Sequence, residues 1–122
     1  MATVSNIEGL SFDDVSLVPR HSNIQSRHGP DIDTSSFLVK GIFLSVPIVS
    51  ANMDSITGNV MARTMGKLGG AGILHRFYNH QDALKDLVAL RQEAVPRVIS
   101  IGINSEGVER LEYLMGEAGD LV

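Results

Sequence analysis

The chain has 122 residues, with 12 Gly, 4 Pro and no Cys, and 10 basic against 14 acidic side chains leave a formal charge of −4. Hydrophobic residues at 43% and charged residues at 20% exclude a disordered, collagenous or coiled-coil chain, and no apolar run approaches the ~18 residues of a spanning helix. Lack of Cys excludes a disulfide scaffold, a thiolate metal site and a Cys nucleophile on this chain, and mild acidity argues against nucleic acid, since phosphate binding needs a basic face. Residues 1–6 lack the basic and apolar regions of a signal peptide. A cytoplasmic protein with neither nucleic acid nor membrane as partner is therefore expected.

In chain order, residues 1–45 begin without a clean period: Phe12, Val15, Leu17 and Val18 sit among Asp, Ser and Pro. The stretch from His21 to Ser36 is polar, with Gly29-Pro30 as a turn signal. Ser36–Val39 and Ile42–Leu44 flank Lys40-Gly41, which predicts a short β-hairpin. From Val46 a pattern repeats. Short apolar runs at Val46–Ser50, Ala71–Leu74 and Val98–Ile101 predict buried strands, and Leu121-Val122 begins a fourth. Between them lie helical stretches. Asn59–Leu68 places Val60, Met61, Thr64, Met65 and Leu68 on one face and ends at Gly69-Gly70. Gln81–Ala94 carries Leu84, Leu87, Val88 and Leu90, with Asn79 as N-cap and Pro96 as a stop. A third helix, capped by Asn104 or Ser105, is expected to bury Val108, Leu111, Leu114 and Met115.

The strands recur every roughly 24–27 residues, and alternation with amphipathic helices means a parallel sheet with helical crossovers. A (β/α)8 barrel and an open doubly wound sheet both fit. A barrel takes about 250 residues, so the chain is expected to be the first part of a longer polypeptide or one piece of a split one. A bare fourth strand would be a pairing hazard.

In either architecture ligands bind where strands end and helices begin. Those positions hold Ala51-Asn52-Met53-Asp54, His75-Arg76-Phe77 and Ile103-Asn104. Bland roles exist: Asp54 as a helix cap or turn residue, Asn52 satisfying backbone groups, Met53 in the core, His75 as a hydrogen-bonded structural residue. Arg76 is the strongest candidate, because a charge at such a rim must find an anionic or polar partner. The four glycines of Gly66–Gly72 close a helix and enter a strand, which argues for tight packing rather than a pyrophosphate cradle. His75 and His80 share no helical face with a carboxylate, so no metal site is expected.

Three segments resemble a known family. Gly9–Pro19, reading Gly-Leu-Ser-Phe-Asp-Asp-Val-Ser-Leu-Val-Pro, is similar to the opening signature of the IMP dehydrogenase / GMP reductase family. Val46–Asp54 resembles its first barrel strand and loop, and Gly69–Arg76 its second. The resemblance implies the N-terminal portion of a (β/α)8 TIM barrel, within a homotetramer. Residues 1–45 would be an arm and hairpin capping the barrel, and 46–122 the first three βα units and the start of the fourth strand. The tandem regulatory module (CBS domains) that dehydrogenases insert after the second helix is absent, because Ala94-Val95-Pro96-Arg97 runs straight into the third strand. That absence, Ala51-Asn52-Met53-Asp54, and Ser22 with Ser26-Arg27 resemble the reductase branch, whereas Gly69-Gly70-Ala71-Gly72 is more dehydrogenase-like.

The resemblance implies NADPH-dependent reductive deamination of GMP to IMP. The alternatives are NAD-dependent oxidation of IMP to XMP, and a truncated or split, non-catalytic barrel piece completed by a partner chain. Both reactions use a Cys nucleophile and, in the complete enzyme, a K+ loop, neither of which lies on this chain. By the same resemblance Ala51, Asn52 and Met53 line the nucleotide pocket. Arg76 stands near the cofactor amide and the departing group, and Ser26 and Arg27 reach the cofactor's adenosine end from a neighbouring subunit. An Arg at position 76 keeps a positive charge but is a poor proton donor, so its implied role is orienting and electrostatic.

Overall fold

The computed structural model describes residues 9–26, 28 and 32–119. The Gly29-Pro30 turn, Arg27 and the strand start at Leu121-Val122 lie outside the described residues. Two compact units are present, Met1–Ile32 and Asp33–Val122.

The first unit contains one turn of 3-10 helix, Phe12–Asp14. Asp14 Oδ2 accepts from the Ser11 backbone N–H at 2.8 Å and from its hydroxyl at 2.7 Å. These bonds hold the Asp14 carboxyl below its usual range. Further along, polar side chains bond their own backbone: Ile24 N–H donates to Ser22 Oγ and His28 N–H to Ser26 Oγ. Such local bonds compete with regular structure and account for the irregular arm.

In the second unit, β1 (Ser36–Val39) and β2 (Ile42–Leu44) form the expected antiparallel hairpin. Gly41 turns it at φ +94°, a conformation that favours glycine. Phe37 and Phe43 meet edge to face across it, 5.2 Å between centroids. There follow β3 (Val49–Ser50), α1 (Asn59–Lys67), β4 (Ala71–Leu74), α2 (His80–Gln92), β5 (Val98–Ile99) and α3 (Ser105–Ala118). The sheet order is β3-β4-β5 and both pairings are parallel, with Val49 opposite Ala71 and Ile73 opposite Val98.

Two strands are shorter than the apolar runs predict. Pro47 has no N–H to give to a ladder, so β3 is regular only at Val49–Ser50. Looser pairing precedes it, through Val46 N–H to Gly69 O at 3.0 Å and Ala71 N–H to Ile48 O at 3.1 Å. Beyond β5, Ser100 N–H still reaches Leu74 O at 2.9 Å.

Leu74, Ala62, Ala83, Leu87, Leu90, Leu114 and Ala118 form the core between the sheet and its helices. On the other face of β4, Ala71 packs with Leu44 and Val98. Covering on both faces explains why the strands are apolar throughout. The close approach of α1 depends on Gly72, where a Cβ would overlap the Cα of Ala62. Tight packing is thus what this glycine provides.

The helix faces require correction. Ala62, not Val60, is buried in α1; Val60 and Leu68 are exposed at 76% and 67%. In α2 the buried residues are Ala83, Leu87 and Leu90, and Val88 is exposed. In α3 they are Gly107, Arg110, Leu114 and Ala118, while Val108 and Met115 are exposed. Small residues let each helix sit close to its neighbour, and that rotates the larger apolar side chains toward the flanks. Asn79 and Asn104 cap α2 and α3, accepting from the N–H of Asp82 and Gly107. Asp54 caps no helix: its Oδ1 accepts from Ser55 N–H in a turn, and Gly58 is the N-cap of α1.

Candidate active-site rim

Because β3, β4 and β5 are parallel neighbours, the loops 51–58, 75–79 and 100–104 leave the same edge of the sheet. Ala51, Asn52, Met53 and Arg76 therefore share one rim, and all four are exposed there. Ser26 belongs to the other unit, where its hydroxyl accepts from His28 N–H. Arg27 is outside the described residues.

The first loop is built on Thr57, which is fully buried. Its hydroxyl contacts Ser50 Oγ at 2.8 Å and donates to the Ala51 carbonyl. The Met53 carbonyl accepts from both Ile56 and Thr57 N–H, at 3.0 and 2.9 Å. Backbone bonds thus fix Ala51–Met53 and leave the Met53 side chain, 51% exposed, facing outward.

The second loop is built on His75 and Tyr78. The His75 ring is buried and stacks on Tyr78 at 4.0 Å between centroids, and its Nδ1 accepts from Phe77 N–H at 3.2 Å. With Nδ1 accepting, the ring proton sits on Nε2. His75 is thus a structural member of the loop. Burial, then the Asp86 carboxylate, pushes the Tyr78 phenol up to about 12. Arg76 projects from this frame with its guanidinium carbon 5.3 Å from the centre of the Phe77 ring, within cation–π range. A guanidinium nitrogen also comes near Gly102 of the third loop, 3.9 Å from where a Cβ would stand. The Arg76 and Tyr78 carbonyls accept from Arg110 on α3, at 2.8 and 2.6 Å.

Thr57, Tyr78 and Arg110 were not singled out from the sequence. A threonine, a tyrosine and a helical arginine each read as ordinary until the fold turns them under the rim.

The rim offers an exposed thioether (Met53), an amide (Asn52), an aromatic face (Phe77) and one mobile-length cation (Arg76). That set suits a flat heteroaromatic ring carrying carbonyl or anionic groups. Among the described residues no group of three His, Asp or Glu could hold a metal ion, and no helix is long and apolar enough to cross a membrane. A hollow of about 730 Å³, lined by Lys40, Phe43, Gly69 and Pro96 among others, opens at the opposite end of the strands. It contains none of the rim residues.

The family model described as IMP dehydrogenase / GMP reductase domain matches residues 9–122. The inosine-5'-monophosphate dehydrogenase of Nitrosopumilus maritimus is 44% identical over 109 residues, which span 87% of this chain and 22% of that protein. The GMP reductase of Leishmania donovani is 47% identical over 70 residues, 57% of this chain and 14% of that protein. A crystal structure of inosine 5' monophosphate dehydrogenase from Legionella pneumophila superposes with a TM-score of 0.70 at 34% identity, covering 92% of this chain and 33% of that one. The chain thus spans less than a quarter of each of these two curated relatives and a third of the solved one.

Proposed function

The chain belongs to the IMP dehydrogenase / GMP reductase family, and we propose that it supplies the first part of the nucleotide site of a purine-nucleotide oxidoreductase built on a (β/α)8 barrel. The observation that carries this reading is the shared rim, where parallel β3 and β4 send Ala51–Met53 and Arg76 out on one side. On this reading Ala51, Asn52 and Met53 line the purine and Arg76 faces the cofactor amide and the leaving group. A bound nicotinamide cofactor supplies or accepts the hydride. Arg76 orients polar groups and stabilises negative charge; its guanidinium stays protonated and is not the general acid. The thiol nucleophile must come from outside these residues, which include no Cys.

Within the family the preferred branch is GMP reductase, with NADPH as reductant. Support comes from the connection between α2 and β5, residues 93–97, which leaves no room for a regulatory module between them. Ser26 and Arg27 would then meet the adenosine end of NADPH, where an Arg suits the 2′-phosphate. A cytoplasmic homotetramer, with a K+ loop supplied from outside this segment, completes the reading. IMP dehydrogenase is the second reading, favoured by the 44% identity to the Nitrosopumilus dehydrogenase.

The test is a pair of assays on the complete protein, GMP with NADPH and IMP with NAD. Consumption of NADPH with GMP is expected. Reduction of NAD in the IMP mixture alone overturns the reductive branch, and silence in both overturns the oxidoreductase reading.

A further inference from the structure

Arg110 is 7% exposed, in a helix whose other buried residues are Gly, Leu and Ala. A buried guanidinium is costly unless it is hydrogen-bonded. Here Nη1 serves two carbonyls, those of Arg76 at 2.8 Å and Tyr78 at 2.6 Å. Nε and Nη2 are also buried and find no acceptor among the described residues. The side chain is therefore committed, through one nitrogen, to the β4–α2 loop. A space-filling role would be met at lower cost by Leu or Met, which the same helix uses elsewhere.

The loop is gripped from a second side. The Tyr78 ring lies against His75, and its hydroxyl meets Asp86 on α2 and the backbone at Asn59, where α1 begins. Backbone and ring are fixed, and the Arg76 side chain is left to project between Phe77 and Gly102.

We propose that Arg110 is a positioning residue: by holding the Arg76 and Tyr78 carbonyls from α3, it sets the direction in which the Arg76 guanidinium enters the rim. It touches neither substrate nor cofactor. The inference rests on the reading of Arg76 given above and extends it to the element behind it.

The test uses the complete protein and four variants: Arg110→Met, Arg110→Lys, Arg76→Ala and the double variant Arg76→Ala/Arg110→Met. In Arg110→Met, amide exchange over residues 76–79 is expected to quicken by roughly tenfold or more while β4 keeps its protection. Turnover should fall by about tenfold with KM for the nucleotide nearly unchanged, and Arg110→Lys should restore part of both. Adding Arg110→Met to Arg76→Ala should cost nothing further, because the two act as one unit. Unchanged exchange, or losses that simply multiply in the double variant, overturns the proposal. Should Arg110→Met not fold, Arg110→Leu, which likewise carries no donor, replaces it, and the partial recovery in Arg110→Lys is read against the wild type. If the wild-type protein turns over neither GMP nor IMP, the functional reading fails on its own, and the exchange measurement still decides whether Arg110 holds the loop.

Discussion

Arg76 and Tyr78 are two residues apart and answer to opposite environments. Arg76 is exposed, with its charge over Phe77. Tyr78 is half-buried against His75 and Asp86. Arg76→Ala is expected to lower kcat by about 100-fold, the scale of losing one pre-aimed electrostatic partner, while GMP affinity changes little. Steady-state rates and equilibrium binding of GMP check this, and an unchanged rate rejects the role. For Tyr78 the neutral phenol is the favoured form. Its pKa is raised from 10.0 to about 12 in the fold, so its contribution to stability is complete below pH 10 and is lost as pH climbs toward 12. Ultraviolet titration should show one tyrosine ionising near 12, and Tyr78→Phe should remove that step.

At the scale of elements, small residues decide which face each helix buries. Alanine and glycine at 62, 72 and 107 bring helix and sheet, or helix and loop, into close contact. Periodicity alone weighs the large apolar residues and so favoured Val60, Val108 and Met115. Gly72→Ala sets a methyl against the α1 backbone, and overpacking of this kind costs about 1–3 kcal/mol. Chemical denaturation of the complete protein measures the loss. A change within error would mean that α1 can move away freely. The caps, by contrast, were readable, because an Asn one residue before a helix has a local mechanism: its side chain accepts an orphan N–H.

For the whole molecule, the decisive fact is a three-stranded sheet with two open edges among the described residues. Among the described residues β3 and β5 each pair on one side only, and Val60 and Leu68 on α1 are exposed. Unpaired strand edges recruit further strands. Residues 1–122 produced by themselves should therefore self-associate at micromolar concentration, and co-production with a segment that pairs with the open edges of β3 and β5 should suppress this. Light scattering after size exclusion distinguishes the cases, and a stable monomer contradicts the expectation. The three parallel strands and their helices are an α/β segment consistent with part of a (β/α)8 barrel, as the superposition on the Legionella dehydrogenase supports.

The order of strands and helices, the Lys40-Gly41 turn, the Asn caps and the rim positions of Ala51–Met53 and Arg76 were determined by the sequence itself. Each depends on a local rule, namely an apolar run, a turn pair or a capping oxygen, that operates within a few residues. The family followed from three segments, Gly9–Pro19, Val46–Asp54 and Gly69–Arg76. Tertiary structure alone decided the rest: that α3 buries Arg110 and that Thr57 and Tyr78 brace the two loops. Those roles join residues up to 34 positions apart. The desolvation and hydrogen bonds that define them exist only once the helices have closed over the sheet.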